Sequence, residues 1–191
     1  MRTVLANCGP IVHANYDGVC VGNEMSNEDL IYPSGKAIVI KNNQVEEIIS
    51  SVELLDDINN VEYKVIDVGG RAIIPGLIDS HSHMVWAGDR SQEVRWKQQG
   101  YSYADIANMG GGISSTVAAT REANKEELYQ VAKRRLKCAL RSGTTHVETK
   151  SGYGLNLESE IKLLEVAKML HENSELPSID STWMGAHAVP R

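Results

Sequence analysis

The chain has 191 residues, 42% of them hydrophobic and 23% charged, and carries a net charge of −6. That length suits one globular domain or a little more. The acidic balance argues against nucleic acid or an anionic membrane as partner. No apolar run approaches ~20 residues, so no membrane span is expected. The start, Met1-Arg2-Thr3-Val4, lacks the apolar core of a signal peptide. Three scattered cysteines, Cys8, Cys20 and Cys138, fit a reduced cytoplasm better than a disulfide framework. The expected location is cytoplasmic.

The first seventy residues read as short strands. Arg2 to Asn7 is one, and Lys36–Lys41 and Gln44–Ile49 are two more. Only Asn42 and Asn43 separate that pair, and asparagine tolerates positive φ, so a tight hairpin is predicted. Gly18 to Gly35 is polar and punctuated and reads as loop. Tyr63 to Val68 is a further β-branched run closed by Gly69-Gly70. Several short antiparallel strands predict a small β-sandwich or barrel module. His13, alone in this part, reads as a surface or packed residue.

After Gly70 the pattern changes. Ala72 to Ile78 is nearly all apolar, as in a parallel strand covered on both faces. Tyr103 to Met109 reads as a short helix closed by Gly110-Gly111-Gly112. Asn124 and Glu127 make a capping-box start for a longer helix whose apolar face carries Leu128, Val131, Ala132, Leu136, Ala139 and Leu140. Gly143 stands where a left-handed C-cap belongs. A strand over Thr144–Thr149 follows. Asn156 then opens a helix with Glu158 and Glu160 in its first turn, where acidic groups suit the dipole. A last strand is predicted from Ile179 to Ala186. Alternating strands and helices imply βαβ units and a parallel sheet.

Polar chemistry gathers where these strands end. The first ends in Asp79-Ser80-His81-Ser82-His83. Alternation along a strand puts His81 and His83 on one face, with Asp79 beside them as a supporting partner. Imidazole is a favoured ligand of zinc and iron. Two ordinary histidines at a strand end are the alternative. The second strand ends in Lys150-Ser151-Gly152-Tyr153-Gly154 and the third before His187. In a (β/α)8 barrel such ends form the active-site face. The glycine triplet follows a helix and lacks a P-loop lysine, so it reads as a connection.

Val65-Ile66-Asp67-Val68-Gly69-Gly70 followed by Pro75 to His83 resembles the amidohydrolase superfamily of metal-dependent hydrolases. His83 to Ser91, Gly110 to Ile113, Glu148 to Leu155 and Gly185-Ala186-His187 are similar to the imidazolonepropionase family. The resemblance implies an α/β fold: a (β/α)8 TIM barrel, its first three βα units present here (71–191), preceded by a small β-sandwich module (1–70). It implies metal-dependent hydrolysis of the cyclic amide of 4-imidazolone-5-propanoate to N-formimino-L-glutamate, in histidine degradation.

The resemblance also implies roles. His81 and His83 are metal ligands for one divalent or trivalent ion, zinc or iron. Arg90 binds the substrate's propionate, which suits a planar guanidinium. Tyr153 hydrogen-bonds the substrate near that carboxylate. His187 is both substrate-binding and catalytic, polarising the ring carbonyl. The partner is a small molecule with a carboxylate tail, and a homodimer is expected of the full-length protein. Glu148 and Lys150 read as an ion pair at the strand end.

A whole barrel takes about 250 residues, and about 120 follow Gly70. The family pattern expects a further histidine and aspartate ligand and an acid/base group from later strands. His146, mid-strand, does not substitute for them. The chain is therefore expected to be a fragment or one segment of a longer polypeptide. Two alternatives remain: a related deaminase or cyclic amidohydrolase, or a non-catalytic module that pairs with a second chain.

Overall fold

The computed structural model describes residues 2–13, 18, 20–52, 54 and 63–189. The chain forms two compact units, Met1–Pro75 and Gly76–Arg191.

In the first unit, β1 (Arg2–Ala6), β4 (Lys36–Lys41), β5 (Gln44–Ser50) and β6 (Tyr63–Asp67) form one sheet in the order β5-β4-β1-β6. β2 (Ile11–Val12) and β3 (Ile31–Tyr32) pair separately. The predicted hairpin joins β4 to β5, with φ of 51° at Asn42 and 62° at Asn43. Both residues are left-handed, as a turn that matches strand twist requires. One expectation fails: β6 runs parallel to β1, not antiparallel. The long connection between them lets the chain return in the same direction. Val4, Ala37, Val39 and Leu54 form a core on one face of the sheet. Ile38, pointing the other way from β4, packs with Cys8 and Ile11. Burial pushes the Cys8 thiol up in pKa, as befits a small buried hydrophobe. The predicted Gly18–Gly35 loop, described except for Val19, contains short 3-10 turns at Gly22–Ser26 and Glu28–Leu30 as well as β3. His13 is a packed residue: its Nε2 donates to the Asp29 carbonyl at 2.8 Å and its ring lies 4.9 Å from that of Tyr32.

The second unit is a three-stranded parallel sheet, β7 (Leu77–Ser82), β8 (Thr144–Lys150) and β9 (Ser178–Thr182), in that order. Between β7 and β8 lie α1 (Ser91–Gln98), α2 (Tyr103–Asn108), α3 (Ile113–Glu122) and α4 (Lys125–Arg141); α5 (Leu157–His171) joins β8 to β9. The capping box of α4 forms as read: Asn124 Oδ1 accepts from the Glu127 N–H at 3.0 Å, and Glu127 accepts from the Asn124 N–H at 2.9 Å. Gly143, at φ 95°, turns the chain out of α4 into β8. Leu128, Ala132 and Leu136 of α4, with Leu163, Val166 and Leu170 of α5, cover Val147 and Ile179.

Three strand expectations shift. The apolar run Ala72–Ile78 is not the strand; pairing starts at Leu77, after Pro75, which has no N–H to donate. Nor is it covered on both faces: Leu77 and Ile78 are 49% and 68% exposed on an edge strand of this sheet. β9 stops at Thr182 rather than Ala186. There the Met184 N–H turns to the Ser151 hydroxyl at 2.9 Å, and the His187 N–H closes a turn on the Met184 carbonyl. The helices α1 and α3 carry little apolar periodicity. α3 is rich in Ser and Thr, weak helix formers, and is held by burial of Thr116, Val117 and Thr120.

Candidate active site at the strand ends

β7 is not a regular strand. Asp79 pairs with Val147, but Ser82 pairs with Thr149, so Ser80 and His81 together face the single position of Glu148. One extra residue inverts the alternation. Val147 and Thr149 are buried towards the helices. Asp79 therefore follows the helix side, while His81 emerges beside Glu148. This corrects the expectation that Asp79 shares a face with the two histidines. Its carboxylate instead accepts from the backbone N–H of His81 at 3.2 Å, which favours the bulged conformation.

Past the bulge four rings meet. His83 is the hub: its ring centroid lies 6.2 Å from His81, 4.9 Å from Tyr153 and 4.9 Å from His187. Tyr153 and His187 are 5.7 Å apart. His81 and His187 are exposed and His83 and Tyr153 half-buried. Desolvation, and then the charge of His187, hold the His83 pKa below its ordinary value, although backbone groups of Lys150 and Ser151 pull the other way. His83 Nδ1 is sealed from solvent and makes no hydrogen bond of normal geometry. Neighbouring imidazoles are donors of the kind a metal ion takes. Among the described residues, however, no group of three or more His, Cys, Asp or Glu converges on one point.

The segment after His83 is pinned from several sides. The Met84 N–H donates to Thr149 Oγ1 at 2.9 Å and the Trp86 indole to the His83 carbonyl at 3.0 Å. Arg90 stands outside the ring contacts. Its Nε and Nη2 make a bidentate pair with Glu93 at 2.8 and 2.7 Å, and Glu93 also accepts from the Gly112 N–H at 2.7 Å. The Arg90 pKa is raised, chiefly by its bond to Glu93. Glu148 pairs with Lys150 and accepts from the Thr182 hydroxyl at 2.6 Å. Those contacts hold its carboxyl below the usual range. His146 is engaged mid-strand by Ser178 at 2.8 Å.

Sequence reasoning missed Glu93, Tyr103, Arg135 and Glu160. Each lies in a helix, where a single charged or aromatic side chain looks solvent-facing. For Glu160 a signal existed: two glycines, Gly152 and Gly154, just before an acidic first turn. Two cavities, of about 590 and 640 Å3, lie in the first unit and are mainly apolar. Convergent chemistry rather than volume identifies the site.

No family model matches the chain. In fold it is similar to a triazine hydrolase from Arthobacter aurescens (TM-score 0.55, 15% identity, covering 95% of this chain and 35% of that one). It is also similar to an uncharacterized metal-dependent hydrolase from Pyrococcus furiosus (TM-score 0.53, 12% identity, 96% and 50%). The chain thus shares the mixed α/β fold of the corresponding part of these two hydrolases. In sequence the chain is 41% identical over 169 residues to the imidazolonepropionase of Clostridium tetani, covering 88% of this chain and 40% of that protein. It is 54% identical over 129 residues to that of Geobacillus kaustophilus, covering 68% and 30%. In sequence the chain is thus similar to these imidazolonepropionases, and it spans 30–40% of the length of the two. Among the described residues no helix is long and apolar enough to cross a membrane.

Proposed function

We propose that this chain supplies part of an imidazolonepropionase: the first three βα units of a (β/α)8 barrel, preceded by a small β-sandwich module. The reaction is the addition of water across the cyclic amide of 4-imidazolone-5-propanoate. Water oxygen bonds to the ring carbonyl carbon, the C–N bond breaks, the ring nitrogen takes a proton, and N-formimino-L-glutamate leaves. The observation that carries this reading is the meeting of His81, His83, Tyr153 and His187 at the C-terminal ends of three parallel strands.

His81 and His83 would hold a metal ion, zinc or iron, since imidazole suits both. Such an ion supplies Lewis acidity and a hydroxide nucleophile near neutral pH. The chain's own groups bind and orient. Glu93 takes the Nε/Nη2 side of Arg90, which leaves Nη1 and the second Nη2 hydrogen for a substrate carboxylate. Tyr153 offers a hydroxyl near that anion. His187, exposed beside His83, donates to the ring carbonyl as charge develops on its oxygen.

The test is turnover by the intact protein, with metal content measured alongside. The imidazolone acid should be opened and an analogue lacking the propionate opened poorly. His81→Ala should abolish metal retention. Preference for a carboxylate-free cyclic amide or an aminopurine would replace this reading with another amidohydrolase activity. Unchanged metal content in His81→Ala would remove the histidine pair from it.

A further inference from the structure

Glu160 is the most deeply buried carboxylate among the described residues, at 1% exposure. Its position in the first turn of α5 does not explain that burial. A carboxylate complements a helix dipole just as well from the surface, and α5 is already capped by Asn156, whose side chain accepts from the Ser159 N–H at 2.8 Å. All three hydrogen bonds of Glu160 run to the preceding turn. Oε2 accepts from the Gly152 N–H at 2.8 Å, and Oε1 accepts from Gly154 and Leu155 at 2.7 and 2.8 Å. Arg121 of α3 holds the same turn from the other polarity, donating to the Gly154 carbonyl at 2.7 Å.

The turn has no slack. Gly152 sits at φ +118° and Leu155 at +53°, the latter an uncommon conformation for a residue with a side chain. A Cβ on Gly154 would come within 2.7 Å of Ser159 Cβ; one on Gly152 would come within 2.7 Å of His187 Cβ. Tyr153 therefore lies between two amides fixed by one carboxylate, and the backbone at Gly152 is the surface on which His187 rests.

We infer that Glu160 is a positioning residue, whose buried carboxylate sets the Gly152–Leu155 turn and through it the placement of the Tyr153 and His187 rings against His83. The consequence for substrate rests on the proposed imidazolonepropionase reading; the clamp itself does not. Glu160→Gln replaces one acceptor oxygen with an NH2 group that confronts backbone donors, so at least one of the three bonds is lost.

The experiment compares the intact protein with Glu160→Gln. Amide exchange at Gly152, Gly154 and Leu155 should quicken about tenfold or more, while Leu163 and Val166 on the same helix stay protected. The Tyr153 and His187 ring resonances should move. In turnover, the KM for the imidazolone acid should rise about tenfold with kcat changing less. Tyr153→Phe should then add little in the Glu160→Gln background. Unmoved ring resonances with unchanged exchange would overturn the clamp. Independent, multiplying effects of Glu160→Gln and Tyr153→Phe would reduce Glu160 to a fold-supporting residue. If the parent does not open the imidazolone acid, the functional reading fails, and exchange and ring signals still judge the clamp. If Glu160→Gln does not fold, Glu160→Asp gives the same readouts, being ionisable but one methylene too short to reach all three amides.

Discussion

The guanidinium carbon of Arg135 lies 3.5 Å from the centroid of the Trp86 ring. The same side chain donates through Nη1 to the carbonyls of Met84 and Trp86, at 2.9 and 2.8 Å. One cation of α4 thus holds the segment that leaves β7 immediately after His83. Burial pushes its pKa down to about 10, which still leaves it charged at neutral pH.

Removing that cation should be costly, because two carbonyls lose their donor and the ring its partner. Arg135→Gln is expected to destabilise the protein by about 2–4 kcal/mol, read as a lower urea midpoint at unchanged slope. Arg135→Lys keeps the charge but not the planar stacking, and should recover less than half of the loss. A midpoint within error of the parent for Arg135→Gln would show the contact to be idle.

Glu93 gives a pH prediction. Its pKa is held below the ordinary carboxylate value, first by Arg90 and then helped by the Gly112 N–H. A carboxylate depressed on folding adds stability that is complete above its unfolded value, about 4.3, and is lost as pH falls through the folded value. Thermal midpoints of the parent should exceed those of Glu93→Gln at pH 7, and the gap should narrow progressively as pH falls below about 4.3. A gap of constant width would mean that the ionised form contributes nothing.

Arg90 should discriminate by substrate charge. Arg90→Ala is expected to raise the KM for the imidazolone acid about 10- to 100-fold and to leave an analogue without the propionate nearly unaffected. Glu93→Gln should act in the same direction but less strongly, since Arg90 keeps its charge and loses its tether. Equal losses on both substrates would take Arg90 out of anion recognition.

Gly76 is required by a close approach rather than by its φ. A Cβ there would stand 2.1 Å from Thr145 Oγ1 and 2.8 Å from Thr145 Cβ. Gly76→Ala should cost about 1–3 kcal/mol, and Thr145→Gly in that background should recover part of it. Thermal denaturation of the single and double variants measures both, and additive losses would mean that the two positions do not meet.

What could be read from the residues was what their immediate neighbours decide. Asn42-Asn43 carries its turn in two letters, and Asn124 with Glu127 carries a helix start in four. Strand order alone sends His81, His83, Tyr153 and His187 to one rim, and their rings lie within 6.2 Å of the His83 ring. The features misread or passed over depend on distant partners. Whether β6 runs parallel or antiparallel to β1 depends on how a long connection returns. α3 persists despite its Ser and Thr because Thr116 and Thr120 are buried against other elements, with Thr120 accepting from the Ala87 N–H. Glu93 and Glu160 look like ordinary solvated charges until Gly112 and Gly152 are seen to donate to them.

The extra residue in β7 makes the length of that strand as consequential as its letters. Were the same residues paired without the bulge, His81 would stand opposite Thr149 and both imidazoles would turn under the helix layer, with every chemically important side chain still encoded. A reading of composition would score such a protein as intact. Its active edge would nonetheless be half a turn out of phase.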